Sequence, residues 1–180
     1  MSEPSGVPPR TIPPSSDFPI ELYYEWIGRI ASLWSLLENT IDETIWQLAD
    51  VKDEPGACLT AQLAGIRPRL IVLEALVQLR GEDKDFIKQI ASFTQKAQTT
   101  SERRNRAIHD AVLYIEPDSE RREVARWRII AQRKLDMGTV KPDLDWYRKV
   151  ALEIGALFEE YQTVEAKIFA KFPAYSRRPR

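Results

Sequence analysis

The chain has 180 residues and a formal net charge of −1, and 43% of its residues are hydrophobic and 29% charged. This length supports one domain with a sizeable core and is short for two. The near-zero net charge argues against a protein whose whole surface binds nucleic acid, although basic residues concentrate between positions 101 and 134. The single cysteine, Cys58, excludes an internal disulfide framework and leaves a cysteine-based metal site without partners, so we expect it at a small buried position.

Composition divides the chain into three parts. Residues 1–16 are rich in proline and serine, which predicts a disordered N-terminal segment. Residues 17–173 form the predicted helical domain, and residues 174–180 form a basic tail. The sequence shows no signal-peptide pattern and no apolar run long enough to cross a bilayer. We therefore expect a cytoplasmic protein with no membrane partner.

The first two predicted helices follow from apolar residues spaced three or four apart. The first runs from Ile20 to about Val51, and its apolar positions are Tyr23, Trp26, Ile27, Ile30, Trp34, Leu37, Ile41, Ile45 and Leu48. A second series contains Leu59, Leu63, Ile66, Leu70, Leu73 and Val77. Because Pro68 removes a backbone hydrogen bond and clashes with the preceding turn, we expect a kink or break near Ile66.

Two further helices are predicted in the second half of the chain. The third begins near Asp83 and continues to the segment Arg104 to His109. The last covers residues 142–172, and its apolar positions alternate in steps of three and four: Tyr147, Val150, Ile154, Leu157, Tyr161, Val164 and Ile168. So regular a seam indicates packing against another helix in near-parallel or antiparallel alignment.

Residues 112–135 depart from the helical pattern. Two runs rich in β-branched and aromatic residues lie on either side of the turn-forming segment 116–119, which predicts a β-hairpin. The predicted fold class is therefore all-α, an up-and-down helical bundle of four long helices with a short β-hairpin inserted before the last helix. Such bundles serve many functions, so the function has to be argued from a site.

The one local arrangement able to support catalysis is Arg104-Asn105-x-x-x-His109, which contains the only histidine of the chain. A neutral imidazole can accept a proton near neutral pH, and a guanidinium can hold a phosphate by two parallel hydrogen bonds. On a helix, Asn105 and His109 share one stripe, whereas Arg104 is rotated from His109 by about 140°. Either Arg104 curves round the helix towards the imidazole, or it meets His109 of a second subunit across a two-fold axis.

These six residues, late in the third helix of an all-helical chain, resemble the Arg-x(4-6)-His signature of the HEPN superfamily. The resemblance implies a homodimeric, metal-independent endoribonuclease of the toxin, phage-defence or RNA-processing type, with no cofactor. By matching position it implies Arg104 for phosphate contact, His109 for proton transfer and Asn105 for orienting the pair or the RNA. An antitoxin or other regulatory protein is an implied partner. Some toxin members continue the motif as His-x-Tyr, and this chain has Ala111 at that position.

Basic residues near the motif are candidates for RNA binding. Arg103 and Arg106 lie beside it, and in the predicted hairpin Arg126 and Arg128 alternate with Trp127. Alternation on a strand would put both guanidinium groups on one face, where they could contact an RNA backbone. The alternative for this segment is an ordinary charged hairpin.

Two other functions remain open from the sequence. One is a catalytically inactive helical dimer that binds RNA, nucleotide or a protein partner, and the other is a structural bundle that binds a protein through its acidic first helix. In the first, the cleft of Arg104 and His109 would bind the ligand or partner. If the motif has only a structural role, His109 would be a solvated or hydrogen-bonded surface residue, and Arg104 would pair with Glu102 or Asp110.

Overall fold

The computed structural model describes residues 18–81, 84–110, 112–118, 121–132 and 134–172, and in the strands only the side chains of Val112 and Arg126 are described. The predicted disordered segment and basic tail lie outside these residues. The described chain is mostly helical, as expected, and its elements are α1 (Ile20–Ala49), α2 (Asp53–Thr60), α3 (Ile66–Leu79), α4 (Lys84–His109), β1 (Val112–Asp118), β2 (Arg121–Gln132), β3 (Lys134–Val140) and α5 (Leu144–Lys171).

The core is built from the apolar stripes of the helices. All seven predicted positions of α5 are buried, which confirms the seam of the last helix. In α1 the predicted stripe is buried from Ile30 to Leu48, while Trp26 and Ile27 pack at its edge. Each helix thus turns one face inwards, as burial of apolar surface requires.

Contacts along the helices establish their relative directions. Tyr23 of α1 packs edge-to-face on Tyr147 of α5, with ring centroids 5.1 Å apart, and Thr44 donates to Glu165 over 3.3 Å. Since both contacts advance together along the chain, α1 and α5 are parallel. Helix α4 runs antiparallel to α5, because its residues 89, 96 and 103 contact α5 residues 167, 160 and 153 in reverse order.

Helix α3 runs in the same direction as α1. Arg69, near the start of α3, contacts Asp42, and Arg80, just after its end, donates to the carbonyl of Leu48. Among the four long helices, α1, α3 and α5 therefore run in one direction and α4 in the other, so these four do not alternate as expected. The physical reason is α2, which packs back on Trp46 and returns the chain to the level of Asp42 before α3 begins.

The predicted second helix is divided into α2 and α3, so the described residues contain five helices where four were expected. The expected break is present, and Ile66 is the first residue of α3. Because α2 is a separate helix, its inward face is formed by Gly56 and Thr60. Cys58 and Leu59 consequently point outwards and are exposed, which corrects the expected burial of both.

In place of a two-stranded hairpin over 112–135, the structure has three antiparallel strands in the order β1-β2-β3, and β3 extends to Val140. Residues 121–126 of β2 pair with β1, and residues 126–132 pair with β3. Arg126 alone pairs on both sides, with Val112 and with Val140. The two hairpins therefore extend in opposite directions from Arg126.

Candidate functional site

The motif residues occupy the last two turns of α4. This helix forms because Phe86, Ile90, Phe93 and Ala97 recur on one face and are buried in the bundle. The same face continues towards the C-terminal end through Arg104 and the fully buried Ala107. The helical register therefore directs Arg104 towards the bundle and leaves His109 on the outside.

Arg104 lies over the ring of Trp34 in α1, with the guanidinium carbon 5.8 Å from the ring centroid. Such cation–π contacts favour Arg on Trp and fix the guanidinium plane. Nε of Arg104 is buried and has no hydrogen-bond partner among the described residues, whereas Nη1 donates to Asn105 Oδ1 over 3.0 Å. The Arg104 side chain thus leaves α4 on the core side, where its Nε is buried, and its Nη1 lies at the exposed face beside Asn105.

Asn105 and His109 are both exposed and one turn apart on α4. His109 is the last residue of the helix, and it makes no hydrogen bond or ion pair with the residues that the structure describes. Among the described residues, Arg104 contacts Trp34 and Asn105, and not Glu102 or Asp110 as a purely structural role of the motif predicts. Arg104 and Asn105 are therefore joined, while the imidazole remains available to a ligand.

Exposed positions of α1 lie near the motif, because Trp34 of α1 contacts Arg104 of α4. Along α1, the positions Tyr24, Gly28, Ser35 and Asp42 share one stripe. Asp42 is buried because α3 covers the C-terminal half of α1, but Tyr24, Gly28 and Ser35 are exposed. No described atom lies within 4 Å of a Cβ built on Gly28. We call this surface, together with Asn105 and His109 of α4, the open face.

The candidate RNA-binding residues lie in different places. Arg103 pairs with Glu153 in a groove of about 520 Å³ between α4 and α5, on the other side of α4 from Asn105. Arg106 is exposed. Arg126 is directed into the bundle, with its guanidinium carbon 4.5 Å from the centroid of the Trp146 ring. The side chain of Arg128 lies outside the described part of the chain.

Two residues near the motif were not anticipated as part of the site. Trp34 was expected as a core or dimer contact, yet it supports Arg104. Asp110, directly after His109, approaches Arg126 with 3.8 Å between Oδ2 and Nε. A carboxylate next to the only histidine was the available signal for Asp110, whereas the pairing of Trp34 with Arg104 depends on the packing of α1 on α4, which spacing alone does not determine.

Comparisons of the chain with protein-family models, curated proteins and solved structures find no match. Within the described ranges, no cluster of three His, Cys, Asp or Glu side chains has an arrangement that would hold a metal ion. Among the helices described, none is both long enough and apolar enough to span a membrane. The case for a function consequently depends on the geometry of the motif.

Proposed function

We propose that this protein is a HEPN-like, metal-independent endoribonuclease that acts as a homodimer, of the toxin, phage-defence or RNA-processing type. The observation that supports this most is the arrangement at the end of α4. Arg104 is held by Trp34 and bonded to Asn105, and the exposed His109 follows one turn later. A positive charge and a titratable base thereby adjoin one solvent-exposed surface.

The proposed reaction uses the ribose of the RNA as nucleophile. The His109 imidazole takes the proton of the 2′-hydroxyl, the 2′-oxygen attacks the adjacent phosphorus, and the bond to the 5′-oxygen breaks. The His109 imidazolium passes the proton on to that oxygen, leaving a 2′,3′-cyclic phosphate and a 5′-hydroxyl. Arg104 stabilises the negative charge that accumulates on the phosphate oxygens, and Asn105 orients its guanidinium.

A second copy of the chain completes the site in this proposal. In one chain Arg104 begins on the core side of α4 while His109 is on the outside, about 140° away around the helix. A two-fold axis through the open face would bring Arg104 of each copy towards His109 of the other. Gly28 and Ser35 are small residues at two exposed positions of the α1 part of this face, where a second copy could approach closely.

The second candidate function is a non-catalytic dimer that binds RNA, nucleotide or a protein partner. Burial of Arg104 Nε and its stacking on Trp34 favour this alternative, since a guanidinium held in this way can serve packing alone. Under this alternative RNA would be retained and released by salt, without cleavage.

The test is cleavage of a defined single-stranded RNA in EDTA by the wild type, Arg104→Ala and His109→Ala. We expect only the wild type to cleave and its products to end in cyclic phosphate. Loss of a general base costs about 10²- to 10⁴-fold in rate, so His109→Ala should be nearly inactive. Arg148→Ala, which removes an exposed arginine of α5, is the matched control and should cleave normally.

Undiminished cleavage by His109→Ala would contradict the proposed mechanism. If the folded wild type retains RNA in a salt-sensitive manner and does not cleave it, the binding module replaces the nuclease as the function that fits the structure.

A further inference from the structure

The sheet is attached to the bundle beside the motif. β1 begins three residues after His109, and β3 ends four residues before the start of α5. Val112 and Val140, at these two attachment points, both pair with Arg126 of β2. Arg126 is therefore the position at which the sheet meets the helices, and both hairpins extend away from it.

The side chain of Arg126 enters the bundle at this point. Its guanidinium lies over the Trp146 ring of α5, and its side chain is only 16% exposed. It also lies close to Tyr147, where burial raises the pKa of the phenol and the positive charge of Arg126 opposes that rise. Arg126 thus contacts Trp146 at the beginning of α5, and its charge acts on the neighbouring Tyr147.

Asp110, just after the end of α4, is the residue that Arg126 contacts on the α4 side. Its carboxylate is 13% exposed and stands 3.8 Å from Arg126 Nε, and its backbone N–H donates to Arg106 O over 3.1 Å. Asp110 directly follows His109, so the position of its carboxylate constrains the end of α4. Helix ends without such contacts fray, which would leave the His109 imidazole poorly fixed.

The polar groups of Asp110, Arg126 and Tyr147 lie close together. Asp110 Oδ2, Arg126 Nε and Tyr147 Oη are all buried, and none of the three atoms has a hydrogen-bond partner among the described residues. Removing one charge of such a pair leaves the other buried without compensation. The pair therefore holds the sheet and α4 together only while both partners are present.

We propose that Arg126 is a positioning residue. It fixes the sheet to the end of α4 through its contact with Asp110, and it thereby orients His109. The effect on catalysis rests on the proposed RNA cleavage, but the attachment of the sheet does not. This assigns Arg126 a different role from direct contact with RNA, and the two roles have different kinetic consequences. A residue that positions the base affects kcat, whereas a phosphate contact affects KM and the salt dependence of binding.

The experiment compares Arg126→Gln, Asp110→Asn and the double variant with the wild type. Arg148→Gln, an exposed arginine of α5, is the neutral control, and Arg106→Gln, the exposed candidate for phosphate contact, is the reference for lost binding. For Arg126→Gln and Asp110→Asn we expect kcat to fall about tenfold or more, because small displacements of a catalytic group are costly. KM and the salt dependence should stay as in the wild type, and the double variant should lose no more than either single variant.

Hydrogen–deuterium exchange of the same proteins tests the attachment without any RNA. We expect faster exchange in the last turn of α4 and in β1, β2 and β3 of both single variants, with unchanged exchange in α3 and the centre of α5. Unchanged exchange would overturn the proposal, whether or not the wild type cleaves RNA. A raised KM and a weaker salt dependence for Arg126→Gln, with kcat unchanged, would also overturn it and identify Arg126 as an RNA contact. Should Arg126→Gln fail to fold, Asp110→Asn alone decides by the same two measurements.

Discussion

Arg69 shows how single polar residues organise the described structure. Its Nε binds Asp42 over 2.9 Å, and its Nη1 donates to the carbonyl oxygens of Leu63 and Gly65. One side chain thus closes the loop between α2 and α3 and fixes that loop on α1. Because Asp42 and Arg69 are both mostly buried, each satisfies a charge that would otherwise be costly to bury.

A residue of α5 makes the stability depend on pH. Burial raises the pKa of the Glu165 carboxyl, the hydrogen bond from Thr44 opposes this rise, and the charge of Glu43 adds to it. A folded-state pKa above the unfolded value gives a stabilisation that is fully present below the unfolded pKa. That stabilisation is lost as the pH rises through the folded pKa.

We predict that Glu165→Gln has a larger free energy of unfolding than the wild type at pH 7. The amide oxygen can still accept from Thr44, but no charge has to be buried. The gain should be below about 1 kcal/mol, since the side chain is partly exposed and solvent screens it. Urea unfolding between pH 4 and pH 7 measures it, and the gain should shrink towards pH 4. Glu159→Gln, an exposed change on the same helix, is the control, and an equal gain there would contradict this account.

At the scale of elements, the packing of α2 on α1 depends on a glycine. A Cβ on Gly56 would lie 2.5 Å from Trp46 Cγ, closer than real contacts allow. The Trp46 ring is held in place because Nε1 donates to Thr60 Oγ1 over 3.2 Å. The small residue at 56 therefore lets α2 lie flat on the indole.

We predict that Gly56→Ala lowers the free energy of unfolding, although alanine favours helix by about 1 kcal/mol. Overpacking of this kind costs about 1–3 kcal/mol and should exceed that gain. Gly155→Ala in α5 is the matched control, because no described atom lies within 4 Å of its built Cβ, and it should stabilise by about 0.5–1 kcal/mol. Denaturant unfolding measures the free energy of unfolding of both variants. A stabilising effect of Gly56→Ala would show that α2 does not pack as described.

The elements differ in how far the sequence could predict them. The seam of α5 was predictable residue by residue because it is buried along one face throughout. The exposure of Leu59 was not, because spacing alone continues a helical pattern across the break between Thr60 and Ile66. Spacing likewise predicts that Arg126 and Arg128 share a strand face, but it does not say whether that face meets water or, as at Arg126, the bundle.

The whole molecule has two unlike ends. At one end α3 covers α1 and α2 packs on Trp46, so four helices surround the core. At the other end lie the beginning of α1, the end of α4, the beginning of α5 and the sheet, and α3 does not reach this far. The open face, which includes Asn105 and His109, lies at this second end. The direction of α3 therefore determines where a second copy could approach the motif.

In the proposed dimer, Arg104 of one copy and His109 of the other form one ribonuclease site. The most direct test mixes Arg104→Ala with His109→Ala after subunit exchange and measures RNA cleavage in EDTA. Random exchange makes about half of the dimers mixed, each with one intact site, so about a quarter of the wild-type activity should return although each variant alone is inactive. A mixture that stays inactive, with exchange verified by differently tagged chains, would contradict a site shared between two copies.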